Sequence, residues 1–170
     1  MFLIEPCCTQ KHWPQLREKV GANGTVPFHG YGDLSLEELF PVLMTRYSHT
    51  SMMFVCPTLP NSTAALLEKW LSKGWGSDDA NINVISSMHL ITDLRPKKSP
   101  TATKWAKENP FPGHLVLHNV QQNDTAILLP DIAIYGNINL VHNGHFTALV
   151  STNPGFINNL WSTYEELISK

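Results

Sequence analysis

Two rhythms alternate along this chain. The run "SMMFVCPTL" at 51–59 is apolar at almost every position, the mark of a strand packed on both faces, since a half-exposed strand alternates apolar with polar residues. It is followed by "NSTAALLEKWLSKG", where Ala65, Leu66 and Trp70 recur at helical spacing between polar starting residues and Gly74. That pattern predicts a helix with a glycine stop. "INVISSMHLIT" predicts a second buried strand, "SPTATKWAKENP" an amphipathic helix with Pro100 in its first turn, and "GHLVLHNV" a third strand. From there the helical rhythm disappears. Strands are predicted over "DTAILLP", "IAIYGNINLV" and "FTALVST", with Pro130 and Asp131 supplying a tight turn that makes the first two an antiparallel pair. "NPGFINNLWSTYEELISK" predicts a closing helix, capped by Asn153 with Pro154 at its first position. The order β-α-β-α-β-β-β-β-α specifies an α/β fold: a mixed sheet flanked by helices, parallel early and antiparallel late.

Residues 1–33 are less regular. "MFLIEP" has strand character, "WPQLREKVG" predicts a short helix closed by Gly21, and "GANGTVPFHGYGD" reads as a Gly-rich loop without the Gly-Lys-Ser/Thr ending of a phosphate loop. No Pro- or Ser-rich linker follows, so this extension is expected to pack on a main body at 34–170. That body opens on "LEELFPVLMTRY", with Ser35 and Glu38 in a capping-box pattern and Pro41 kinking or shortening the helix.

Composition narrows the function classes. Charged residues make up 15% of the 170 and the net charge is −2, so no global field draws the chain to phosphate backbones or anionic membranes. Nucleic acid as a partner therefore finds no support in net charge. Glu5 interrupts the first apolar run, unlike a secretory leader, and no segment reaches the roughly 20 apolar residues of a membrane-spanning helix. Three cysteines, with Cys7 and Cys8 adjacent, do not form a secreted disulfide framework. A cytoplasmic protein without membrane insertion is expected.

The element order, with "IAIYGNINLV" and "FTALVSTNPGFINNLW", resembles one half of a phospholipase D/nuclease-superfamily enzyme. That family carries HxKxxxxD on one strand and GSxN on the next, then a strand and a helix beginning near "DP". Here Gly136 and Asn139 match the GSxN strand, Asn137 replaces its serine, and "NP" stands for "DP". The likeness covers about residues 110–170 and thins over 35–110. It implies a phospholipase D-like sandwich over 34–170, with a second such half supplied by a homodimer or by a separate partner.

The family's chemistry needs a histidine that attacks phosphorus, a second that protonates the leaving oxygen, and a lysine that neutralises phosphoryl charge. None of the eight histidines is followed two residues later by lysine. Counting back from Gly136 puts Asn123 or Asp124 at the histidine place and Thr125 or Ala126 at the lysine place. His118 is the nearest alternative, but its lysine place is Val120 and Asp124 falls one residue early. The resemblance with this departure implies a catalytically degenerate domain, a binding or scaffolding module for a phosphate-containing ligand around Gly136, Asn137 and Asn139.

Other groups keep their own readings. Arg95, Lys97, Lys98 and Lys104 gather after the second predicted strand, at the edge where open α/β sheets hold ligands; they are a phosphate-recognition rim or a solvated loop and helix turn. His142 and His145 lie close together, yet no further cysteine or HExxH motif completes a zinc set, so neither metal nor cofactor is expected. Cys56, at a strand end before a helix, is a nucleophile candidate or plain packing, with Pro57 removing a backbone donor. The five tryptophans are scattered singly, as core anchors rather than a base-stacking platform. The alternative function is an active phosphodiesterase or nuclease built on displaced groups such as His118, His145 and Lys97, and after it a Cys56-dependent enzyme.

Overall fold

In a computed structural model of the protein, describing residues 16–31, 43, 49–72, 84–137 and 145–170, the doubly apolar stretch becomes β2 (His49–Val55) in the interior of a seven-stranded sheet. Met52 and Phe54 point to one face, where they meet Leu16, Leu67 and Trp105 in the larger core. Met53 and Val55 point to the other, against Ile157 and Tyr164. All four are at most 1% exposed, which is why the run lacks the polar alternation of a one-sided strand.

The remaining described elements are α1 (Leu16–Val20), β1 (Thr25–Tyr31), α2 (Asn61–Ser72), β3 (Val84–Thr92), α3 (Pro100–Glu108), β4 (Leu115–Asn119), β5 (Thr125–Leu128), β6 (Ala133–Asn137), β7 (His145–Ser151) and α4 (Pro154–Ile168). Strand order is β1-β7-β6-β5-β2-β3-β4. β2 pairs in parallel with β3, and β3 with β4; β5 lies antiparallel to β2, and β5, β6, β7 and β1 form an antiparallel series. The fold is the α/β mixed sheet flanked by helices that the sequence predicts. α1, α2 and α3 contribute to the larger core, and α4 covers the opposite face.

Local signals act as expected at several ends. Asn153 Oδ1 accepts the Phe156 N–H at 3.1 Å to cap α4, with Pro154 at the first helical position. Gly21 ends α1 at φ +74°, its N–H donating to Arg17 O at 3.0 Å. The Leu129 N–H donates to Ile132 O at 2.9 Å across Pro130 and Asp131, closing the β5–β6 hairpin. Arg17 ties α1 to this hairpin through Asp131 at 3.2 Å and also donates to Leu43 O.

One stretch departs from its reading. Residues 25–31 are not loop but β1, an edge strand paired along its length with β7. Pro27 cannot donate to a ladder, and an edge position, with one partner only, tolerates it. The expected strand "MFLIEP", the capping box at Ser35 and Glu38, and the kink at Pro41 lie outside the described residues. No helix among the described residues is long and apolar enough to cross a membrane.

Phe54→Ala is expected to remove about 3–5 kcal/mol of stability, and Asn153→Ala about 1 kcal/mol. Urea unfolding followed by circular dichroism measures both, and the first loss should exceed the second severalfold.

Candidate functional site

The reversal of direction between β3–β2 and β5 creates an opening. β2 and β3 end at one margin of the sheet, and β5, antiparallel to β2, begins there, with Val55 opposite Ala126. Ligands of open α/β sheets bind outside such carboxyl ends, where diverging connections leave room. A crevice of about 330 Å³ occupies this place. Pro57 and Thr58 reach it from the β2–α2 turn, Asp93, Arg95 and Lys98 from the β3–α3 connection, and Gln121, Gln122 and Asn123 from the β4–β5 connection.

Short-range bonds shape its walls. Asp93 Oδ1 accepts the Arg95 N–H at 3.1 Å, an Asx turn that brings the chain sharply off β3. The Lys98 and Ser99 N–H groups donate to Arg95 O at 2.9 and 3.0 Å and wind the chain into α3. Asn119 Oδ1 accepts the Leu94 N–H at 3.0 Å and fastens this turn to the end of β4. Beneath lies a buried hydroxyl link: Ser99 Oγ accepts the Leu59 N–H at 2.8 Å and sits 3.3 Å from Thr92 Oγ1. Two of the three connections are thereby joined below the floor.

Arg95 and Asp93 form a forked ion pair. Nε lies 3.0 Å from both carboxylate oxygens and Nη2 2.6 Å from Oδ2. These bonds hold the Asp93 carboxyl below its ordinary pKa, and Asp93 in turn raises that of the guanidinium. Asp93 is only 4% exposed, whereas the Arg95 side chain is 57% exposed, so the pair presents its cationic partner to solvent. With Asp93 set against Arg95, Lys98 leaves the lining one positive charge in excess.

Gln122 lines the crevice but keeps its donor buried. Its Oε1 accepts the Asp124 N–H, which fixes the carboxamide orientation because Nε2 has no acceptor to offer that N–H. Nε2 is then buried without a hydrogen-bond partner. A buried donor left unpaired costs on the order of 1–3 kcal/mol.

Of the residues predicted from sequence, Lys98 lines this crevice, while Lys97 is an exposed neighbour on the same turn. Gly136 stands opposite Thr125 near the end of β6, at the same sheet margin, and Asn137 follows it. His145 opens β7 opposite Tyr31; Asn139 and His142 lie outside the described residues. Lys104 is on α3, 4.0 Å from Glu108. Cys56 is fully buried; burial pushes its thiol up to about 12, only partly opposed by the Thr92 hydroxyl, to which Sγ donates at 3.5 Å. It is a packed side chain below the crevice.

His118 does not line the crevice either. It projects from β4 beside His89 of β3, Nε2 to Nδ1 2.9 Å, with the rings stacked at 5.2 Å between centroids. Burial first, and then the neighbouring imidazole, lowers the His118 pKa. This pair went unseen in the sequence because the parallel register of "SMHLIT" and "LVLHN" had to be known. Asp124, one of the two positions (with Asn123) that the resemblance sets at a histidine place, has its carboxylate 3.4 Å from the Tyr164 hydroxyl. Burial and then Asp124 raise the pKa of both Tyr164 and Tyr135. Among the described residues, no group of three or more His, Cys, Asp or Glu side chains is placed to hold a metal.

No family model matches this chain, and no curated protein matches it. Among solved structures it is similar to TrmBL2, an archaeal chromatin protein whose structure shows a novel mode of DNA binding, with a TM-score of 0.52 at 10% identity. The match covers 85% of this chain and 53% of that one, so the chain spans about half of TrmBL2's length. At that identity the likeness is one of fold.

Two outcomes are expected. With its thiol near 12, native Cys56 carries roughly 10⁻⁵ thiolate at neutral pH, so site-resolved mass spectrometry finds it unlabelled by iodoacetamide until the protein is unfolded. His118 has a folded pKa below its unfolded value near 6.5. The unfolded state therefore binds more protons between the two values, and stability falls as pH drops through that window. Unfolding midpoints from pH 8 to pH 5 should show this slope diminished in His118→Asn.

Proposed function

We propose that this chain is a catalytically degenerate phospholipase D-like domain that works as a binding module for a phosphate-containing ligand. One observation carries the reading: Arg95 and Lys98 line one crevice at the ends of β2 and β3. Phosphate is acceptor-rich and anionic, and a guanidinium held by a carboxylate on one side still offers donors on its other. The site of this ligand is thus set at Arg95 and Lys98, with Gly136 and Asn137 farther along the same sheet margin.

The absence of turnover belongs to the same proposal. His118 is engaged with His89, Cys56 is inaccessible, and Asp124 stands against phenols where the family resemblance calls for imidazole and amine. TrmBL2 is a DNA-binding protein, and nucleic-acid phosphates share this ligand chemistry. The net charge of −2 and the single excess positive charge of the crevice favour one phosphate group over a duplex backbone. The family resemblance brings a homodimer into the reading, which sedimentation velocity measures directly.

Isothermal titration with inorganic phosphate should show binding that Lys98→Ala weakens severalfold and Arg95→Ala at least tenfold, about 1.4 kcal/mol. The same protein should release no p-nitrophenol from bis(p-nitrophenyl) phosphate. Turnover that disappears in His118→Ala establishes the active phosphodiesterase instead.

A further inference from the structure

We infer that the crevice takes a nucleoside monophosphate-sized molecule, its phosphate on Arg95 and Lys98 and its neutral, hydrogen-bonding part on the carboxamides of Gln121 and Asn123. The inference rests on the phosphate-binding reading above and narrows it to a ligand class. Three features of the crevice point the same way.

Size comes first. About 330 Å³ lies at the lower end of the roughly 300–1,000 Å³ of small-molecule sites. A bare phosphate leaves most of that space unfilled, and a duplex does not enter it. Charge comes second. Both cations, Arg95 and Lys98, belong to the β3–α3 connection, whereas the facing β4–β5 connection brings only uncharged carboxamides. A polyphosphate needs cations along its whole length, while a phosphate joined to a neutral polar group needs them at one end.

The third feature is the chemistry of that neutral wall. Carboxamides carry a donor and an acceptor side by side, the pattern that matches the edge of a nucleobase. In Gln122 Oε1 is committed to the Asp124 N–H and Nε2 is buried, so the exposed carboxamides of Gln121 and Asn123 are the ones left to bind from the crevice. The edge of a base, with ring nitrogen, carbonyl or amino group side by side, matches them.

Titration of the intact chain with four probes tests this: inorganic phosphate, ribose 5-phosphate, adenosine 5′-monophosphate and adenosine. The monophosphate should bind at least tenfold more tightly than inorganic phosphate, with ribose 5-phosphate between them and adenosine weakest. The double variant Gln121→Ala, Asn123→Ala, verified as folded by its thermal melt, should reduce the monophosphate-to-phosphate ratio severalfold while leaving phosphate affinity in place. Arg95→Ala should lower both affinities together. Equal affinity for phosphate and the monophosphate in the wild-type chain overturns the nucleoside inference and leaves the phosphate reading standing. No binding of any phosphate probe removes both. Binding confined to a duplex oligonucleotide replaces the small ligand with a backbone.

Discussion

The burial of β2 on both faces is the constraint from which the rest of the architecture follows. The Met52–Val55 part of β2 is apolar at every position and has no solvent side, so helical layers must cover it above and below. α1–α3 cover one face, through Leu16, Leu67 and Trp105, and α4 the other, through Ile157 and Tyr164. Its neighbours then run in opposite directions, β3 with it and β5 against it. Connections leaving the ends of β2 and β3 diverge from the one entering β5, and the space between them is the crevice.

The chemistry of that space is set by what its walls are already bonded to. Asp93 is engaged by Arg95, the Ser99 hydroxyl by the Leu59 N–H, and Asn119 by the Leu94 N–H. These bonds make the β3–α3 connection a supported frame rather than a free loop, so the Arg95 guanidinium is held in place before any ligand arrives. Preorganised donors lose less freedom on binding than mobile ones. Gln122 is the exception in kind: its acceptor is bonded and its donors are not.

The sequence displays those parts of the fold that periodicity encodes. The unbroken apolar run of β2, the Asn153–Pro154 start of α4 and the Pro130–Asp131 hairpin each carry a local physical signal, and each forms where it was expected. β1 carried none: a Gly- and Pro-containing stretch becomes a strand only because β7 offers an open ladder. The site divides the same way. Basic residues after a buried strand are visible in one dimension, and Lys98 lies in the crevice. The pairing of His89 with His118, the burial of Cys56 and the meeting of "QQN" with Arg95 depend on which strands are neighbours, and no local pattern records that.

The ladder between β1 and β7 has a consequence for synthesis. Thr25 and Ser151, joined by a 2.6 Å hydroxyl contact, are 126 residues apart in the chain. At the usual pace of translation that interval is on the order of ten seconds, during which the earlier strand has no partner to zip against. Closing so long a loop also places this edge among the late, slow events of folding. A nascent chain therefore carries a waiting ribbon, and Pro27 in its middle keeps that ribbon from templating a stranger.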